Sequence, residues 1–327
     1  MNKKILFLQC FGILLVVLGH SGENIPYLSK WIYSFHMPLF IFISGYLLDY
    51  TSKNGIDKIN LFNFINKKIK RLLIPYFVIS SLAYVPKYLL GKFALRPLEL
   101  TFSGYVHGFL YPWDNPIIFF WFLPTLFFIM IITIFLAKLF NDKIKVMLLV
   151  TFLISILSKK YIHIEFLNIK GILNYLFFFI LGMMYKRYES KIDEILKVKN
   201  IFSLICFFGI LFINAVIDYK ISSQFLYIFI AVTGILFSLS LEKIYSEKNY
   251  KFLNHLYGKS YSIYLLSWFP QVFVRILGFQ ILKQDWYVVL PFSFIFGVYG
   301  PYIVNVLTLK VIEKNSKLKF LKILFGA

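Results

Sequence analysis

The chain alternates long apolar runs with short polar joints, at intervals that match bilayer-spanning helices. Windows free of Asp, Glu, Lys and Arg fall at 5–22, 31–48, 72–86, 115–137, 146–158, 171–185, 200–217, 221–241, 260–274 and 286–309. A spanning helix needs about 20 mainly apolar residues, and the shorter windows reach that length by admitting a terminal lysine that snorkels to the headgroups. The pattern predicts an all-α integral membrane protein, a bundle of about ten transmembrane helices. It forms a single domain over 1–327. The uncharged stretch 100–113 is shorter, carries Gly104, His107, Gly108 and Pro112, and reads as an external loop or re-entrant segment. No internal repeat is visible, which weighs against transporters built from duplicated halves.

An even number of spans puts both termini on one face. That face collects 25 of the Lys and Arg residues and the other 10, so the positive-inside rule places both termini in the cytoplasm. The formal net charge of +20 is therefore in large part a topology signal. Only 15% of residues are charged and 59% are hydrophobic, against about 25% charged in soluble domains. This excludes a soluble enzyme, a disordered chain and a nucleic-acid-binding module. The first apolar run follows MNKK but lacks a small-residue cleavage motif, and it reads as a retained first helix. Cys10 and Cys206 sit in apolar runs and indicate neither a disulfide framework nor a metal site. Lysine outnumbers arginine 31 to 4, an AT-rich coding bias that suggests a bacterium, and the apolar spans then place the chain in its plasma membrane.

Ionisable residues inside a bilayer are costly and face a bundle interior. His20 lies near the outer end of the first helix, and His36 lies a little way into the second from the same side. The short loop 23–30 makes these helices antiparallel neighbours, so both imidazoles share one depth. Histidine accepts a proton near neutral pH, which suits general-base work. An interfacial histidine with a hydrogen-bond partner is the plainer reading of either alone; the matched depth brings the two readings level. In the second helix Pro38 removes a backbone hydrogen bond and Gly45 permits close helix approach.

The string GILLVVLGH at 12–20, followed by FHMPLFIFISGYL at 35–47, resembles the acyltransferase-3 family of integral membrane O-acyltransferases. It looks closest to the fucose O-acetylase and exopolysaccharide acyltransferase branch. FWFLPTL at 120–126 and SYSIYLL at 260–266 are similar to two further segments of that branch. The resemblance implies that His20 is the catalytic histidine, activating an acceptor hydroxyl against an acyl-CoA thioester, acetyl-CoA above all. It gives His36 an auxiliary role, and it places Ser44, Trp121, Tyr264 and Ser267 in a substrate pocket; Glu23, three residues after His20, is spaced to hold the imidazole there, a plain loop carboxylate being the simpler reading. It implies a glycan or lipid-linked sugar acceptor, membrane lipid surroundings, no metal and no nucleic acid. It leaves the oligomeric state open.

Two positions depart from the family pattern. Gln9 stands where a cation is usual, eleven residues before His20 on the same helix face, about 16 Å towards the cytoplasm. Ser267 stands where the late segment commonly ends in His. A replacement charge lies in the segment 63–75, NFINKKIKRLLIP, which reads as amphipathic and leads into the third helix. Lys67, Lys68, Lys70 and Arg71 match the family's basic motif for the phosphates of coenzyme A, and Arg71 is best suited because its planar fork binds phosphate bidentately. The same residues also suit an anchor on anionic lipid.

His20 then sits about 20 Å from the cytoplasmic end of its helix. Either the pantetheine arm threads up between helices, or the acyl group is relayed, or the bundle holds a deep cytoplasmic cavity. Arg275 lies near the outer end of a late helix and can snorkel. The external stretch 111–116, with Tyr111, Trp113 and Asp114, suits a sugar or an interfacial aromatic belt. A transporter or flippase for a lipid-linked glycan is the rival reading, and a structural partner in a polysaccharide synthase is a third. Neither explains the histidine pair.

Overall fold

The computed structural model describes residues 2–21, 25–52, 54–93, 101–198, 200–216, 224–248 and 251–326, and among them there is no β-strand. In chain order the helices are α1 Lys3–Gly19, α2 Pro26–Tyr33, α3 His36–Thr51, α4 Leu61–Lys68, α5 Ile74–Leu89 and α6 Phe102–Leu110. There follow α7 Phe122–Leu139, α8 Ile144–Tyr161, α9 Ile169–Arg187, α10 Glu189–Val198 and α11 Asn200–Val216. The last are α12 Gln224–Glu247, α13 Ser260–Leu266, α14 Trp268–Arg275, α15 Trp286–Lys314 and α16 Leu321–Phe325.

Each apolar window is mainly helical where it is described, but six helical stretches among the described residues, not ten, are long and apolar enough to cross a bilayer. They are Pro26–Thr51, Leu61–Leu89, Ile118–Leu139, Phe166–Arg187, Gln224–Ser246 and Trp286–Lys314. Ser260–Leu266 and Trp268–Ile281 form a seventh if a pair bent by 47° counts as one span. The shortfall has physical causes. α1 and α11 are 17 residues each, and α8 carries Lys145, Lys159 and Lys160 within its 18 residues. At the bend, Pro270 has no N–H to return to the Leu266 carbonyl, which interrupts the helical ladder.

α1 is the hub of the bundle. It packs on α2, α3, α12, α13 and α15, and apolar residues surround it on all sides, as a central helix requires. α3 crosses α9 at a reciprocal pair of glycines. A Cβ on Gly45 would lie 1.9 Å from the Phe179 carbonyl oxygen, and one on Gly182 would lie 1.9 Å from that of Phe42. Backbones this close exclude any side chain, so the close approach read from Gly45 is realised against Gly182. Pro38 does not kink α3: it falls in the first turn, where a missing N–H costs little.

Ion pairs lock the opposite end from the histidines. Lys4 of α1 bonds Glu189 at 2.9 Å and also Asp193, both on α10. Tyr46 donates to Glu189 at 2.8 Å and Tyr185 to Asp193 at 2.7 Å. Burial alone would raise both carboxyls, but the hydrogen bonds from Lys4 and these tyrosines outweigh it and hold both below the usual range. Arg187 ties the same end of α9 to Asp49 of α3 and Asp142 of the α7–α8 turn, each at 2.8 Å.

Candidate functional site

His20 caps α1 and His36 opens α3, with the short helix α2 between them, where the sequence suggested a loop over 23–30, and both histidines lie at one end of the bundle. Tyr33 of α2 packs against both rings, 6.0 Å from His20 and 5.3 Å from His36 by centroids, and donates its hydroxyl to the Gly19 carbonyl at 2.8 Å. His36 is buried, and its Nδ1 lies 2.9 Å from the Ile32 carbonyl. A carbonyl only accepts, so Nδ1 carries the proton and Nε2 keeps its lone pair.

His20 lines a cavity of about 570 Å³, whereas His36 does not. Asn115, Trp268 and Gln271 supply polar groups to the wall, and Lys87 of α5 and Arg275 of α14 supply charge. Sequence reasoning missed Gln271. It is 1% exposed and donates to the Val17 carbonyl at 2.8 Å and to Ser21 Oγ at 3.0 Å, gripping the turn that presents His20. A Cβ on Gly297 would lie 2.8 Å from Gln271 Cγ and 2.8 Å from Val17, so α15 leaves a notch for this side chain. The available signal was an amide within an apolar run. Asn115 is equally buried in purpose: its Oδ1 accepts from Ser80 and from the Ile117 N–H, both at 3.0 Å.

A second cavity, about 380 Å³, opens nearer the basic end. Gln9, Ser44, Lys68, Arg71 and Tyr264 all line it, which brings together five of the residues expected to bind donor or substrate. Lys67 and Lys70 are exposed and line neither cavity. The basic residues ride on a continuous helical stretch, Leu61–Leu89, with a π-helical turn at Ile69–Leu73. The Arg71 guanidinium lies over the Tyr261 ring, 5.8 Å from its centroid, and Tyr261 donates to the Arg71 carbonyl.

The two cavities stand back to back. Phe119 lines the first and Tyr264 the second, and the Tyr264 hydroxyl donates to the Phe119 carbonyl at 2.7 Å. Phe119 in turn packs on His20 with centroids 4.9 Å apart. Val16, in the wall of the second cavity, accepts the His20 backbone N–H at 3.1 Å. Thus one turn of α1 and one aromatic pair separate the histidine from the basic cavity.

A histidine-lined chamber thus stands against a chamber lined by Lys68 and Arg71, both within one helical bundle. The acyltransferase domain family covers residues 2–306. The chain belongs to the acyltransferase-3 family. This acyltransferase is a multi-pass membrane protein, and no curated protein and no solved structure matches it significantly.

The remaining pocket residues read from the sequence fall elsewhere in the acyltransferase. Trp121 is buried in an aromatic stack between Trp113, at 4.8 Å, and Tyr175, at 5.4 Å, and lines neither cavity. Ser267 is 1% exposed at the α13–α14 bend and lines neither. Glu23 lies outside the described residues. His107 bonds Asp114 at 3.1 Å and stacks on Tyr111, which orders the loop at the histidine end.

Proposed function

We propose that this acyltransferase moves an acetyl group from acetyl-CoA to a hydroxyl of a surface glycan or its lipid-linked precursor, across a bacterial plasma membrane. The carrying observation is the pair of cavities that share the Phe119–Tyr264 wall. The basic cavity faces the cytoplasm under the positive-inside rule. Lys68 and Arg71 hold the coenzyme A phosphates there, with Gln9 as a neutral hydrogen-bonding partner, and Lys67 and Lys70 add charge at the rim. Ser44 and Tyr264 line the path of the pantetheine arm, so the deep cavity is the favoured answer to how a cytoplasmic donor reaches His20.

At the far end the acceptor hydroxyl gives its proton to the unprotonated nitrogen of His20 as its oxygen attacks the thioester carbonyl. The tetrahedral intermediate collapses, the C–S bond breaks, and the sulfur leaves with that proton as the free thiol of coenzyme A. The products are one ester and one thiol. His36, with Nδ1 committed to Ile32, presses Tyr33 against His20 and orients it. Gln271 fixes the turn that carries the base.

Mass spectrometry of surface glycan from cells carrying the chain or its His20→Ala variant tests this reading. The mass of an acetyl ester present only with the intact chain supports it. Equal glycan masses, with glycan failing to reach the surface in the variant, would replace it with the flippase.

A further inference from the structure

The basic cavity is a shaft whose wall changes character with depth. Along α3 its lining runs from Met37 to Thr51, a rise of about 21 Å at 1.5 Å per residue. Along α1 it runs from Gln9 to Val16. Lys68, Arg71 and Thr51 therefore mark the mouth, Gln9 and Ser44 stand partway down, and Val16 and Met37 mark the deep end beside the histidines. Lys68 and Arg71 are the only charged side chains among the described lining residues.

The deep end is closed by rings. Phe40 of α3, Phe122 of α7 and Tyr264 of α13 all line it. The Phe122 ring meets the other two edge to face, with centroids 6.1 Å from Phe40 and 5.7 Å from Tyr264. Phe40 has no slack behind it, because a Cβ on Gly12 of α1 would lie 2.9 Å from its Cζ. Val16, Met37, Phe122 and Tyr264 are each at most 8% exposed. A wall packed this closely yields little to a longer guest.

This end also lacks a free hydrogen-bond donor among the described lining residues. Ser44 spends its hydroxyl on the Phe40 carbonyl at 2.8 Å, and Tyr264 spends its own on the Phe119 carbonyl at 2.7 Å. A carboxylate carried here would lose its water and gain no partner, which is strongly unfavourable. From mouth to end, the wall follows the polarity of a coenzyme A thioester: phosphates, then amides, then the acyl group.

We propose that the deep end of the basic cavity is an acyl gauge, in which Phe40 and Phe122 set the length of the acyl group and the missing donors exclude a charged one. The donor is thereby limited to a short, neutral acyl group, acetyl over butyryl and over succinyl. This rests on the basic cavity holding the coenzyme A donor.

Transfer and binding are measured separately on the full-length protein in nanodiscs, with acetyl-, butyryl- and succinyl-CoA as probes. One methylene in an apolar pocket is worth about 10–200-fold, so the intact chain should prefer acetyl-CoA in kcat/KM. Phe40→Ala and Phe122→Ala should each raise the butyryl-to-acetyl ratio about tenfold or more. Phe122→Leu should move it less, in the same sense. A gain with butyryl-CoA cannot come from a misfolded chain. Succinyl-CoA should stay poor in every variant, since removing a ring adds no donor. Equal use of all three by the intact chain, or a ratio unmoved in both alanine variants, would overturn the gauge and leave acetyl transfer standing. Melting with each thioester supplies the second readout. Larger stabilisation by acetyl-CoA than by butyryl-CoA, reversed in the alanine variants but with no ester on any glycan, keeps the gauge and removes the glycan acceptor. Melting unmoved by every thioester removes the donor site and the gauge with it.

Discussion

The Tyr264 hydroxyl donates to the Phe119 carbonyl at 2.7 Å, and this bond joins a residue of the basic cavity to a residue of the histidine cavity. A path for an acyl group between the two chambers has to pass this pair. Tyr264→Ala should merge the chambers and let water reach the thioester, so that coenzyme A release without acceptor rises several-fold. Tyr264→Phe keeps the ring and should lie between the two. Thiol release followed in detergent checks both; unchanged release in the alanine variant would mean that the donor takes another route.

His20→Ala should lower acetyl transfer by about 10²–10⁴-fold, the usual contribution of a general base, while detergent-purified protein elutes and melts as before. His36→Ala should cost less, because His36 acts through Tyr33 and lines neither the histidine cavity nor the basic one. If His36→Ala proves the more severe of the two at equal folding, the roles assigned to the histidines are reversed.

Arg71→Gln should raise KM for acetyl-CoA more than it lowers kcat, because the guanidinium binds a remote phosphate and not the reacting carbonyl. Steady-state kinetics with varied acetyl-CoA reads this split. Lys67→Gln, on a residue outside the cavity, should have a smaller effect.

The α3–α9 crossing leaves no room for a methyl group. Gly45→Ala or Gly182→Ala should destabilise by about 1–3 kcal/mol or more, as overpacking does, and here the obstacle is backbone and cannot swing aside. Thermal melts in detergent would register this, with Gly209→Ala as a control where a Cβ meets nothing within 4 Å.

Glu189 and Asp193 are held below the ordinary carboxylate range by Lys4 and their tyrosine partners. A depressed folded-state pKa adds stability that is present above the unfolded value and lost as pH falls through the folded one. The melting temperature should therefore be level from neutral pH downward and drop only below about pH 4. Lys4→Met should lower the melting temperature at neutral pH and flatten that acid limb; an unchanged limb would show that other carboxylates set it.

Much of this protein is legible in one dimension. A bilayer permits few backbone solutions, so uninterrupted apolar runs become helical, and each expected window is mainly helix where it is described, though 31–48 and 260–274 are each divided between two helices. The histidine pair and the basic stretch are local strings, and the short connection between α1 and α3 fixes the two imidazoles at one end. Span length was less legible: lysines within α8 and the bend before Pro270 change what a window becomes.

The site itself is a tertiary product. Gln9, Ser44, Arg71 and Tyr264 come from four separate segments and meet in one chamber only because the helices pack around α1. No string says that Trp121 would be spent in an aromatic stack, that Gln271 would grip the turn below His20, or that Lys87 and Arg275 would face one cavity. Sequence sets which residues a helix carries and at what depth, through periodicity and the cost of burying charge. Which face meets which neighbour is decided by close packing between helices, where one glycine opposite another sets the approach and everything beside it follows.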